Sequence, residues 1–509
     1  MMLRSYEKRT PMLATSPPDA WVESSSRPDT IRVEVTLMTP EEFRKYGHRI
    51  VDRIADYRAG IEVHPVASRA EPGSIKAQMP SEPPVEPESF EDVLADVERL
   101  VMPNLAHWQH PRFFGYFPSN GELSAVLGDY LSTGLGVLGL AWQSSPPLTE
   151  IEEVATDWLR QMSGLSSAWS GVIQDTASTS SLVALLCARE KSSNFSLTRG
   201  GLQSEQRALV VYTSEHAHSS IDKAALMAGF GRENLRKIPV DASFALKADV
   251  LEAAIQADRE EGRIPCAIVA TTGTTTTTAM DPIEACARIA REHGLWLHVD
   301  GAMAGSAMIL PECRNLWRGI EGADSIVVNP HKWLGASFDC SVYYVRDPDH
   351  LVRVMSTSPS YLKTAADGSV KNYRDWGIPL GRRFRALKLW CLIREQGVSG
   401  LQKRLRRDIE NARWLEGEFR ASPGWSVVAP VVLQTVCVRH EPAGISGESL
   451  DTHTLSWVAA VNASGTAYIT PALLEGRWMA RISIGAILTE REHVAQTLAA
   501  MREATSHSG

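Results

Sequence analysis

Several absences bound this chain before any motif is considered. No apolar run approaches the roughly 18 residues that a membrane-spanning helix needs. No long basic run is present and the formal net charge is −8, so neither nucleic acid nor an anionic membrane is expected as the main partner. The seven cysteines (Cys187, Cys266, Cys286, Cys313, Cys340, Cys391 and Cys437) are odd in number, scattered, and form no CxxC pair. That argues against a disulfide framework or a zinc site and fits reduced thiols in a cytoplasm. The first thirty residues mix Pro, Ser and charges without the apolar core of a secretory signal. No internal repeat is found, and no metal is expected.

What is present reads as ordinary globular protein, with 44% hydrophobic and 22% charged residues. At 509 residues, two or three domains are expected. Residues 1–35 read as a flexible extension. At Thr39 a helix begins, with Thr39 as N-cap, Pro40 at the first helical position and Glu42 closing a capping box. Phe43, Ile50, Ile54 and Tyr57 follow helical spacing as far as Gly60. After a Pro- and Glu-rich connection, a second helix covers about 89–102. Two helices and a loop make a poor core alone, so 36–120 reads as a segment that packs on a second subunit.

From 121 to 392 short apolar runs alternate with helical stretches such as 181–190 and 281–293. The runs are "ALVVYTSE", "CAIVATTG", "LWLHVD", "SIVVNP" and "CSVYYV". This alternation predicts an α/β domain with a mostly parallel sheet flanked by helices. Residues 393–509 read as a long helix followed by a smaller α+β domain.

Ligands of such sheets gather at the carboxyl ends of the strands. There "LWLHVD" ends on Asp300, and "SIVVNP" leads into His331 and Lys332. "CAIVATTG" delivers Thr271, and "ALVVYTSEHAHSS" delivers His216 and His218. A lone lysine after a strand is usually solvated, and a lone aspartate is usually a cap. Together they match the needs of pyridoxal phosphate. That cofactor forms a Schiff base with a lysine amine and needs a carboxylate to keep its pyridine nitrogen protonated. In "QDTASTSS", Thr176, Ala177 and Ser178 open a helix whose free N–H groups suit a phosphate. His218 suits stacking on the ring and moving protons; His216 suits it less.

"NPHKW", "HVDGAMAG", "SEHAHSS" and "IPLGRRFRALKLW" together resemble the group II pyridoxal-phosphate decarboxylases, in the aromatic-L-amino-acid branch. The resemblance runs from about Thr39 into the C-terminal region. It implies the fold type I architecture, with a mostly parallel seven-stranded sheet in the large domain, and a homodimer with its active sites at the interface. It also implies release of the α-carboxylate of an amino acid as CO2. Lys332 would carry the cofactor, with its pKa lowered by desolvation, and Asp300 would pair the pyridine nitrogen. His218 would stack on the ring. Ala177, Ser178, Asn329 and His331 would surround the phosphate, while Thr271 and Ala302 line the other ring edges. Two departures stand out: Gly301-Ala302-Met303 follows Asp300 where Ala-Ala-Tyr is usual, and Asp175 precedes the phosphate loop where Gly or Ser is common.

The same resemblance implies that Tyr373, on an expected mobile loop at 362–379, protonates the substrate's α-carbon. Relatives with Phe there release an aldehyde oxidatively. Trp108, Tyr116, Phe117, Pro118 and Ser119 fall on positions that line the substrate pocket, and an aromatic wall suits an aromatic substrate. Leu138 and Leu140 would come from the partner subunit. Gly381 goes with indolic substrates, where Ser goes with phenolic ones. Tryptophan or 5-hydroxytryptophan is therefore favoured, with DOPA, tyrosine and phenylalanine open. The competing readings are an aromatic aldehyde synthase, a decarboxylase of a non-aromatic amino acid, and an inactive binding protein on the same fold.

Overall fold

The computed structural model describes residues 37–357 and 368–506. The expected 1–35 extension and residues 362–367 of the expected loop lie outside the described residues. Two units are described separately, divided between Ala59 and Gly60. In the first, α1 (Pro40–Ala59) starts with the expected reciprocal cap. Thr39 N–H donates to the Glu42 carboxylate at 2.8 Å, and Glu42 N–H donates to the Thr39 hydroxyl at 3.2 Å. No α1 residue is buried, and Phe43, Val51 and Ile54 are exposed.

In the second unit, α2 (Phe90–Asp96) is capped by Ser89 and widens into a π turn at Val97–Val101 and a 3-10 turn at Met102–Asn104. The helix expected over 89–102 is therefore present, but it loosens towards Pro103, which has no N–H to donate. The central sheet contains β1 (Ser170–Gln174), β2 (Leu209–Ser214), β3 (Leu235–Ile238), β4 (Ile264–Thr271), β5 (Trp296–Asp300), β6 (Ser325–Val328) and β7 (Ser341–Val345). Their spatial order is β1-β7-β6-β5-β4-β2-β3. All neighbours are parallel except β7, which runs against both β1 and β6. The five expected strands are all there. β1 and β3 are additions; β3 reads Leu-Arg-Lys-Ile along a sheet edge, where charged side chains thin the apolar signal.

The sheet is covered on both faces. Along β4, Ile268 and Ala270 enter one core while Ala267 and Val269 enter the other, the period-two alternation of a strand. The first face meets α4 (Pro146–Met162), α7 (Ala248–Glu260), α8 (Ile283–His293) and α10 (Ala386–Arg420); α3 (Leu123–Gly134) packs on α10. The second meets α5 (Ala177–Ser192), α6 (Ser219–Met227) and α9 (Pro348–Met355). Each large aliphatic side chain so buried contributes roughly 2 kcal/mol. α10 breaks its helical geometry at Gly397, where φ is +62°. The C-terminal part adds an antiparallel sheet of β8 (Trp425–Val427), β9 (Thr435–His440), β10 (Thr470–Leu474) and β11 (Arg477–Ser483). With α11 (Gly447–Ser464) and α12 (Arg491–Ser506) it encloses a core of its own.

All seven cysteines are free thiols, and five are buried: Cys187, Cys266, Cys286, Cys340 and Cys437. Burial pushes the thiols of Cys266, Cys340 and Cys437 up to about 12. Among the described residues no helix is long and apolar enough to cross a membrane.

One buried ion pair ties the sheet to the segment before α10. Arg382 donates to both oxygens of Glu152 at 2.9 and 2.6 Å and to the Ile173 carbonyl at 2.7 Å, while Glu152 accepts from Ile173 N–H at 2.8 Å. Glu152→Ala leaves a guanidinium buried and unpaired, so the expected loss is about 3–5 kcal/mol of unfolding free energy by urea titration. A loss below about 1 kcal/mol, the value of an exposed pair, would show that solvent reaches this contact.

Candidate active site

The site is assembled by strand register. Thr271 at the end of β4 lies opposite Asp300 at the end of β5, and Asp300 lies opposite Val327 of β6. Beyond Val328 the chain turns through Pro330–Leu334, and within that turn Lys332 leaves helical geometry with φ −92° and ψ −108°. These ends, with the start of α5 and the cap of α6, enclose a cavity of about 280 Å³. Its lining includes Ala177, Ser178, His218, Thr271, Asp300, Ala302, Asn329, His331, Lys332 and Phe117. Nine cofactor-contacting residues expected from the sequence thus meet at one place.

The electrostatics suit an exchangeable amine. Burial lowers the pKa of Lys332; the Asp300 carboxylate works against this and Arg481 reinforces it. Asp300 is buried, and one oxygen accepts from Ala302 N–H at 3.0 Å. His218 caps α6: its Nδ1 accepts from Ser220 N–H at 3.1 Å, which leaves the proton of the neutral ring on Nε2. Burial lowers its pKa, against the pull of Asp300. His331 is held down to about 4, first by burial and then by Lys332, and its Nδ1 accepts from Cys340 N–H at 2.9 Å.

Three observations fit a phosphate-bearing aromatic aldehyde. The first N–H groups of α5 point out of the helix start without a side-chain cap from Thr176. The buried Thr271 Oγ1 and Asn329 Oδ1 have no hydrogen-bond partner among the described residues. Phe117 places its ring centre 5.5 Å from the Lys332 amine. The departure at Asp175 is accommodated, because its carboxylate accepts from Thr176 N–H at 2.6 Å. Gly301 is tightly enclosed: a Cβ there would lie 3.1 Å from the Val327 carbonyl oxygen.

The remaining expected residues lie elsewhere in the chain. Trp108 and Tyr116 are exposed and stacked, 5.4 Å between centres, and the Tyr116 hydroxyl is 3.3 Å from that of Tyr468. Pro118 packs against Gly485, and the Ser119 carbonyl accepts from the Gln109 amide at 2.7 Å. Leu138 is exposed and Leu140 half-buried; a Cβ on Gly381 would come within 3.3 Å of Leu138 Cδ1. None of these lines the cavity, and neither does Tyr373. The Tyr373 ring is buried beneath the Arg382 guanidinium at 4.9 Å, and its hydroxyl donates to the Gly171 carbonyl at 3.4 Å.

The sequence reading missed Arg481 and Met303. Met303 lines the cavity. Arg481, on β11, is buried with its guanidinium 4.3 Å from the Phe117 ring centre, and its Nε and one Nη have no hydrogen-bond partner among the described residues. An arginine set between the apolar residues Met479, Ala480 and Ile482 of β11 was the available signal.

A lysine and a carboxylate at the carboxyl ends of a sheet with this order, beside an uncapped helix start, define a pyridoxal-phosphate enzyme of fold type I. Comparison with known proteins narrows this. Residues 72–441 match the pyridoxal-dependent decarboxylase conserved domain. The chain is 40% identical to a tyrosine decarboxylase of Papaver somniferum, covering 92% of this chain and 95% of the relative. It is equally 40% identical to a phenylacetaldehyde synthase of Arabidopsis thaliana, over 92% and 97%. The crystal structure of Oryza sativa TDC with PLP and tryptamine superposes with a TM-score of 0.90 at 35% identity, covering 93% and 99% of the two chains. The chain belongs to the pyridoxal-dependent decarboxylase family, and pyridoxal phosphate is its cofactor.

Behind Asp300, His298 is wholly buried between Ser181 and Ser325, and burial holds its pKa down to about 4. A histidine near 4 when folded and near 6.5 when unfolded stabilises the fold fully above the unfolded value, and that stability is lost as pH falls towards 4. Asp281 and Asp408, raised by burial to about 6, act in the opposite sense over the same range. His298→Gln should therefore flatten the fall in melting temperature of the cofactor-free protein between pH 6.5 and 4; an unchanged slope would place its proton affinity near that of free histidine.

Proposed function

We propose that the protein decarboxylates an aromatic L-amino acid, tryptophan or 5-hydroxytryptophan before DOPA, tyrosine or phenylalanine, giving the arylalkylamine and CO2. The convergence of Lys332, Asp300 and His218 on one cavity carries this reading. In it, Lys332 binds the cofactor aldehyde and Asp300 keeps the pyridine nitrogen protonated. His218 stacks on the ring. Ala177, Ser178, Asn329 and His331 hold the phosphate, and Thr271 and Ala302 border the ring. When bound, the cofactor supplies an electron sink for the pair left at the substrate's α-carbon as CO2 departs. The residues do the rest: Phe117, with Trp108, Tyr116, Pro118 and Ser119, excludes water and orients the aromatic group. Tyr373 returns a proton to the α-carbon, favouring the amine over the aldehyde as product.

The working unit is a homodimer with its sites at the subunit interface. Leu127, Leu131, Leu135, Leu138, Ile378 and Leu380 are exposed, an apolar surface that supports a second copy. Leu138 and Leu140 then belong to the partner's pocket, and Tyr373 reaches a cavity only by leaving its buried place beneath Arg382. The dispersed thiols support a cytoplasmic setting.

L-Tryptophan should give a higher kcat/KM than L-tyrosine, and a clear tyrosine preference would reverse the substrate order. Gly381→Ser should lose indolic substrates first, because the Leu138 contact is already tight. Tyr373→Phe should divert product from amine to aldehyde, consuming one dioxygen and one water and releasing hydrogen peroxide and ammonia with the CO2; amine as the sole product of that variant in air would remove Tyr373 from proton delivery.

A further inference from the structure

α10 reaches the lysine turn from below. Arg404 and Asp408, one helical turn apart, are both buried. Arg404 Nη1 donates to the Trp333 carbonyl at 2.8 Å, and its Nη2 donates to the Leu334 carbonyl. Asp408 accepts from the Trp333 indole N–H at 2.8 Å. Gly335, with φ +108°, closes the turn against the same guanidinium: a Cβ there would lie 3.0 Å from Arg404 Nη2 and 3.2 Å from Glu122 Cγ. Glu122 N–H in turn donates to the Gly335 carbonyl at 2.9 Å, and its carboxylate stands 3.9 Å from Arg404 Nε. On the other side, Lys332 N–H donates to the Asn329 carbonyl and Asn329 N–H to the Ala302 carbonyl, each at 2.9 Å. The residues flanking Lys332 are thus fixed from the sheet and from α10.

Stability alone gives little reason for this arrangement. Arg404 meets Glu122 at 3.9 Å and Asp408 meets Arg407 at 3.3 Å rather than each other, and buried charged groups of this kind are often replaceable by packed hydrophobic residues without loss of stability. What apolar residues could not do is hold two successive carbonyls and an indole N–H in fixed directions.

We propose that Arg404 and Asp408 are positioning residues that set where the Lys332 amine stands in the cavity, acting through the Trp333 and Leu334 backbone and the Trp333 indole. The proposal rests on Lys332 being the attachment point of the cofactor. Neither residue lines the cavity. Their effect is geometric, and a displacement of ~1 Å at a reacting group can cost on the order of 100-fold in rate.

The test compares the cofactor-loaded Arg404→Lys, Asp408→Asn and Trp333→Phe proteins with wild type. Arg236→Gln is the control; it breaks the partly buried Arg236–Asp258 pair, whose contact is 2.5 Å, away from the cavity. Readouts are the pH midpoint of the visible band of the lysine-linked cofactor, kcat and KM for L-tryptophan or the fastest amino acid, and melting temperature. The expected result is a moved midpoint and a kcat lowered about tenfold or more with KM within about twofold, in the clamp variants and not in the control. If Arg404→Lys fails to fold, Asp408→Asn decides, since it keeps the size of the side chain and removes the charge that the Trp333 indole N–H and Arg407 meet. Unmoved midpoint and kcat in folded variants, or changes no different from those of Arg236→Gln, overturn the proposal. Borohydride reduction and peptide mapping separate the two claims: a label on another lysine defeats the Lys332 reading, whereas a label on Lys332 with unmoved midpoints defeats the clamp alone.

Discussion

The level endings of adjacent parallel strands are the constraint on which this molecule depends. Because Thr271, Asp300 and Val327 stand opposite one another across β4, β5 and β6, the Asp300 carboxylate and the turn bearing Lys332 are delivered to one rim. The antiparallel strand extends this geometry. Val342 of β7 faces Val328 of β6 on one side and Ile173 of β1 on the other. The end of β1 is therefore level with the end of β6, and the helix that follows β1 presents its free N–H groups to the same cavity. A one-residue slip in any of these pairings would turn the side chains to the opposite face of the sheet.

Charge within that cavity is balanced by opposing effects. Burial disfavours the ammonium form of Lys332, and Asp300 favours it. The same carboxylate pulls up His218 against its own burial. A buried carboxylate between two basic groups keeps both within reach of proton exchange, which an apolar wall could not do.

The chemistry was legible in the sequence wherever it sat at the end of an apolar run. Lys332, Asp300, Thr271 and His218 each interrupt the strand pattern, and the cap at Thr39 follows local rules that need no tertiary information. What escaped depended on contacts distant in the chain. Arg481 belongs to a strand of the C-terminal sheet and meets Phe117 only through folding. Tyr373 sits under Arg382 because a buried glutamate on α4 draws that arginine inward. β3 carries too many charges for its apolar face to stand out, and the break at Gly397 lies within a stretch of otherwise helical periodicity.

The buried thiols have a chemical corollary. Oxidants react with thiolate, and a group whose proton leaves only near pH 12 offers almost none at neutrality. Cys266, Cys340 and Cys437 are thus inert bystanders. Cysteine oxidation is directed instead to Cys313 and Cys391, the two thiols that are only half-buried.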